Sequence, residues 1–198
     1  MDNLAYDYTA DGVHDELDYE LIGGNKFFMA AAAPFINHIT VVNRISRVFC
    51  NYVEDKNNKI FVMTEVDVYL SDSHHYRPDL VVLCDLDKIS SGGERIYGAP
   101  DLVVEVLSKR TMYNVIGPKK AAYEKYGVKE YWIVDPWIKR IEVYHLVDGK
   151  FILGGSYMDA EEDEDDKPEM PIDKIKVSIF EDLIVDVKDI FKWWLPKQ

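Results

Sequence analysis

A chain of 198 residues that is 47% apolar and 13% aromatic holds enough core material for one domain with some decoration, which excludes wholesale disorder. Its formal charge of −13 argues against a general nucleic-acid coat protein. The charge is segregated: residues 159–169 (DAEEDEDDKPE) carry eight acids and one lysine, a net of −7, whereas residues 105–129 carry six bases and two acids, a net of +4.

Two cysteines, Cys50 and Cys84, do not make a disulfide framework, and each falls in an apolar run that reads as core. The first fifteen residues are acidic and show no apolar leader, and no run reaches the ~18 apolar residues that span a bilayer. A cytoplasmic setting is the expectation. Residues 1–17 read as a flexible N-terminus, and 18–198 as a single domain interrupted by an acidic linker at 159–169.

In chain order, Tyr19 to Met29 reads as a hairpin about Gly23-Gly24-Asn25, and Pro34 suits a first helical turn. Residues 35–54 form an amphipathic helix, with Val41, Val42, Ile45, Val48, Phe49, Tyr52 and Val53 at three- and four-residue spacing. Phe61 to Leu70 alternates as one strand, and SDSHHYRP (71–78) reads as a loop. Asp79 to Cys84 and Asp101 to Leu107 are short, nearly continuous apolar strands that each follow a proline. Pro118 to Tyr126 is a helix closed by Gly127, Val128 to Asp135 a buried strand, and 138–157 a hairpin about Asp148-Gly149. The aromatic tail (Phe191, Trp193, Trp194) reads as a cap on the core. The order predicts a mixed sheet flanked by helices, an α/β or α+β fold with additional C-terminal strands.

Strand parity puts Asp101, Val103, Glu105 and Leu107 on one face and Leu102, Val104 and Val106 on the other. Glu105 therefore lies inside an apolar strand, where a carboxylate is costly without a metal ion or a cationic partner. On the following helix Lys119, Ala122, Tyr123 and Tyr126 share the packing face, so Lys119 can point over the strand end; a lysine stem that packs and snorkels is the ordinary alternative. Asp79 opens the neighbouring strand after Arg77-Pro78. It is either a turn former or the second carboxylate of a hard oxygen site suited to Mg²⁺ or Mn²⁺.

The segments YRPDLVVL (76–83), APDLVVEVLS (99–108) and GPKKAAYEKYGVKEYWIVDP (117–136) resemble the Uma-type restriction-endonuclease family of the PD-(D/E)XK nuclease superfamily, and YELIGG (19–24) with the His38 region resembles its amino-terminal part. The resemblance implies a restriction-endonuclease-like fold and a metal-dependent endonuclease hydrolysing DNA, with RNA left open. It implies that Asp79 and Glu105 bind Mg²⁺ or Mn²⁺, that Lys119 completes the catalytic set, that Glu20 is an outer carboxylate, and that the unit is a homodimer. The superfamily usually places its lysine two residues after the acid, where this chain has Leu107; in the Uma-type pattern it arrives from the next helix, at Lys119. Val115 and Pro118 stand where relatives often carry acidic residues. His38 shares the apolar side of its helix with Val41, Val42 and Ile45 and reads first as a satisfied structural histidine, second as an auxiliary. Adjacent His74 and His75 could suggest a metal pair, but neighbours on a strand point oppositely, and the two read better as a loop pair. The competing reading is a non-catalytic module of the same fold that binds nucleic acid or a protein.

Overall fold

The computed structural model describes residues 19–28, 35–56, 59–108, 112–159 and 173–192. The expectations for residues 1–17, Met29, Pro34, the acidic stretch after Asp159, Trp193 and Trp194 fall outside these. The described chain builds a mixed α+β fold around a six-stranded sheet.

The first strands, β1 (Tyr19–Ile22) and β2 (Asn25–Phe28), form the expected hairpin. Gly23 and Gly24 take φ of 59° and 81°, which a tight two-residue hairpin turn requires. Helix α1 (Ile36–Asp55) follows and buries Val41, Ile45, Phe49 and Val53, the core stripe of the amphipathic pattern.

The single strand expected over Phe61 to Leu70 is two strands. β3 (Phe61–Met63) and β4 (Asp67–Ser71) lie in different sheets, and Glu65 between them turns the chain with φ of 53°. The expected loop at 71–78 contains β5 (His74–Tyr76), which pairs with β1 and β4. β6 (Leu80–Leu83) returns to the central sheet, and β7 (Arg95–Tyr97) runs parallel beside β4. A second sheet thus has the order β2-β1-β5-β4-β7.

The central sheet is completed by β8 (Leu102–Val106), β9 (Glu130–Asp135), β10 (Arg140–Val147) and β11 (Lys150–Met158), in the order β11-β10-β9-β8-β6-β3. β8 and β9 are parallel, so a helical crossover joins them. It comprises α2 (Met112–Asn114), a π-helical turn at Val115–Lys119 and α3 (Lys120–Tyr126). Pro118 therefore lies within a wider helical turn, not at the first position of the helix. Gly127 (φ 91°) ends α3 in the left-handed region that glycine adopts without steric cost.

β12 (Lys174–Lys176), β13 (Ile184–Asp186) and α4 (Val187–Phe191) add to the core beside α1. Two apolar clusters sandwich the central sheet. One joins α1, α4 and the Leu102, Val104 and Val106 face of β8; the other joins α3, the second sheet and the Val103 and Leu107 face. Phe191 is buried as expected, whereas Cys84, read as core, is exposed because it stands past the end of β6. Among the described residues no helix is long and apolar enough to cross a membrane.

Candidate active site

β6 and β8 are antiparallel, with Leu80 opposite Val104. One further step of that register sets Asp79 across from Glu105. Asp79 Oδ2 accepts a hydrogen bond from the Val106 amide at 2.7 Å, tying the aspartate to the strand that carries the glutamate. Asp79 Oδ1 lies 3.1 Å from His38 Nε2 on the first turns of α1.

Glu105 is buried on the face of β8 it shares by parity with Val103 and Leu107, the face that packs against α3. Lys119 Nζ reaches its Oε1 at 2.9 Å, and the Tyr123 hydroxyl donates to the same oxygen at 2.8 Å. Lys119 is itself buried and spans to Glu20 Oε1 at 2.7 Å. The amide of Arg77 also donates to Glu20, at 3.0 Å, and the Tyr76 ring centroid lies 5.6 Å from the Lys119 ammonium. α1 approaches from one face of the sheet and α3 from the other, and both meet at Asp79 and Glu105.

All five side chains singled out in the sequence thus gather here: Asp79, Glu105 and Lys119 at the centre, Glu20 behind the lysine and His38 behind the aspartate. Sequence reasoning missed Tyr123 and Tyr76. Tyr123 carried a usable signal, since it lies four residues after Lys119 on the same helix face and next to a buried acid. Tyr76 carried none, because its strand reads as a polar loop.

Burial and the neighbouring carboxylates of Asp79 and Glu20 outweigh Lys119 and push the Glu105 carboxyl up to about 7. Burial alone would depress Lys119, but the two glutamates raise it above the usual lysine range, so the ammonium keeps its proton. Burial likewise works against a charged His38, and Asp79, with help from Glu105 and the Val106 backbone, raises it above 6.5. Burial, then the charge of Glu105, drives the Tyr123 hydroxyl well above its ordinary value, so it remains a donor.

Two glutamates share the Lys119 ammonium, and Asp79, held by His38 and the Val106 amide, lies across from Glu105, so a divalent cation between the two strands would offset their mutual repulsion. Among the described residues no group of three or more His, Cys, Asp or Glu side chains is arranged to hold a metal. The donor set nonetheless fits a Mg²⁺-like ion, which typically binds one or two carboxylates and completes its shell with water and substrate phosphate. Lys119 and Tyr123 both donate to Glu105 Oε1. A hollow of about 200 Å³, lined by His38, Ile39, Val42, Asn43, Thr64 and Glu65, opens beside the histidine that holds Asp79.

A family model named Uma2, described as "Putative restriction endonuclease", matches residues 4–167. A Synechocystis sp. (strain PCC 6803) protein, described as "Uncharacterized protein sll1609", is 26% identical over 130 residues, 65% of this chain and 72% of that relative. Among solved structures, an Anabaena variabilis chain described as "a putative nuclease belonging to DUF820" superposes with a TM-score of 0.68 at 20% identity, over 91% of this chain and 93% of that chain. At that identity the likeness concerns the fold.

Proposed function

We propose that this chain, which belongs to the Uma2 restriction-endonuclease family, is a divalent-metal-dependent endonuclease of the PD-(D/E)XK type that hydrolyses phosphodiester bonds in DNA. The observation that supports it best is the meeting of two acids from adjacent strands with one buried lysine from the crossover helix, where the start of β6 faces the end of β8.

Asp79 and Glu105 would hold Mg²⁺ or Mn²⁺, which when bound supplies acidification of water and neutralisation of charge at the phosphate. Lys119, held protonated by two glutamates, offsets negative charge developing on the phosphate oxygens. Tyr123 fixes the orientation of Glu105, and the Val106 amide and His38 fix both oxygens of Asp79. Glu20 positions Lys119 without needing to touch substrate. The working unit in this reading is a homodimer, which sedimentation would test, in a cytoplasmic setting.

One observation favours a second reading. Lys119 sits directly on Glu105, which is only 3% exposed, and a closed ion pair of this kind also suits an inert nuclease fold that binds nucleic acid or protein. Cleavage assays on supercoiled plasmid, linear duplex, single-stranded DNA and RNA with Mg²⁺ or Mn²⁺ separate the two. The nuclease reading expects cutting by wild type and not by Asp79→Ala, Glu105→Ala or Lys119→Ala. Equal cutting by all four, or by none, rejects it.

A further inference from the structure

The outer face of the second sheet carries an unbroken row of aromatic rings from one edge strand to the other. Tyr19 pairs with Phe28 on β2, with ring centroids 6.2 Å apart, and meets His75 of β5 edge-on at 6.2 Å. Tyr69 of β4 stacks on His75 at 4.2 Å with planes 7° apart, and Tyr97 of β7 lies 5.5 Å beyond Tyr69. Strand spacing makes this row about 19 Å wide. The opposite face of the same strands carries Glu20, Ile22, Val68, Tyr76 and Ile96, which are buried toward the candidate active site and its core.

Cations lie along the row. Lys26 stands 4.1 Å over the Tyr19 ring and Arg95 5.5 Å from the Tyr69 ring. The acid on this face, Asp67, is engaged by Arg77 at 2.8 Å and by His75 at 3.4 Å. Cross-strand ring pairs do stabilise sheets. That role explains the covered middle of the row but not its ends, where Phe28 is 58% and Tyr97 52% exposed.

We propose that this face binds a single-stranded segment of nucleic acid, with bases on the exposed rings at its two ends, Phe28 and Tyr97, and phosphates on Lys26 and Arg95. The proposal rests on the nuclease reading and narrows its substrate class. Base faces are available for stacking only where a strand is unpaired, because a duplex hides them. Rings interleaved with cations complement bases joined by phosphates in a way that an apolar protein surface would not. The face also adjoins the site: β5 is followed directly by Arg77 and Pro78 and then by Asp79. A strand crossing this face is thus one short connection from the candidate metal-binding aspartate.

The test is fluorescence anisotropy of a labelled single-stranded oligothymidylate of about 20 nucleotides, longer than a typical ~4–16 nucleotide footprint. It uses the full chain in EDTA, so that binding is read without hydrolysis. Tyr97→Ala and Phe28→Ala should each weaken binding about fivefold or more, while Tyr97→Phe, which keeps the ring, binds as wild type does. Arg95→Ala should lower the slope of log affinity against log salt by about 0.7. A duplex of the same sequence should bind more weakly than the single strand. Unchanged affinity in both ring variants overturns the proposal, as does equal or tighter binding of the duplex. A change in sedimentation with oligonucleotide binding intact also overturns it, since a second copy of the chain would then cover the face. A chain that binds through these rings but cuts no substrate keeps the platform and loses the nuclease reading; one that cuts while its ring variants bind normally does the reverse.

Discussion

Two glutamates lie buried in adjacent strands of the central sheet, and they are held in opposite ways. Glu130, at the start of β9, is wholly enclosed, and neutral donors are divided between its oxygens: Trp132 Nε1 reaches Oε1 at 2.6 Å, while the Ser178 amide, at 2.6 Å, and hydroxyl reach Oε2. His145 stands farther off, its Nδ1 3.8 Å from Oε2. Glu105 has both donors on one oxygen, and one of them is a lysine shared with a further acid. Burial of a carboxylate in this sheet therefore does not mark a site. Glu130 is an anchor that joins β9 to the segment after β12, whereas Glu105 shares its lysine with a second acid, Glu20, and lies across from a third, Asp79.

Removing the shared cation should break this contrast most sharply. Lys119→Met leaves Glu105 and Glu20 without their common partner, and loss of one member of a buried pair costs about 3–5 kcal/mol. Urea unfolding should show that loss, and hydrolysis by the remaining folded protein should disappear. A variant as stable as wild type would mean that the carboxylates do not depend on Lys119.

The anchor sharpens the contrast from the other side. Glu130→Ala strands the Trp132 indole and the Ser178 amide, a loss of about 2–3 kcal/mol. Cleavage per folded molecule, measured with the folded fraction read by near-UV circular dichroism, should stay at the wild-type level.

The smallest effect is expected at the opposite end of β8, where Asp101 precedes the strand. Burial opposes its ionisation, but Lys129 at 2.7 Å and the Cys84 amide at 2.7 Å outweigh burial and hold the carboxyl below its usual 3.8. A depressed carboxyl stabilises the fold above its unfolded value and loses that contribution as pH falls through the folded value. Asp101→Asn should therefore cost about 1 kcal/mol at neutral pH, modest because Lys129 is largely solvated, and less in acid. Equal losses at pH 7 and near pH 3 in urea titrations would reject the ion pair as the cause.

The site was legible where periodicity governs. Parity put Glu105 on the face of Val103 and Leu107, which packs toward α3, and helical spacing chose Lys119 over Lys120, whose ammonium instead sits 3.4 Å over the Tyr144 ring. Legibility failed where local pattern and tertiary pairing disagree. Phe61 to Leu70 alternates well enough to read as one strand, yet Glu65 breaks it into strands of two sheets. His74 to Tyr76 is polar and short, yet it pairs on both sides, and this hid Tyr76 and the aromatic face. Glu130 and Glu105 each belong to a strand that is otherwise mostly apolar. Their difference lies in partners such as Ser178, 48 residues away from Glu130, and no local pattern carries that information.

The most direct test of the central claim is Mg²⁺-dependent cleavage by Glu105→Gln and Glu130→Gln side by side, normalised to folded protein. Two isosteric changes at two equally hidden acids should then divide: hydrolysis lost by about a hundredfold or more in the first, unchanged in the second. Cutting at the wild-type rate by Glu105→Gln, or an equal loss in both, would contradict the account.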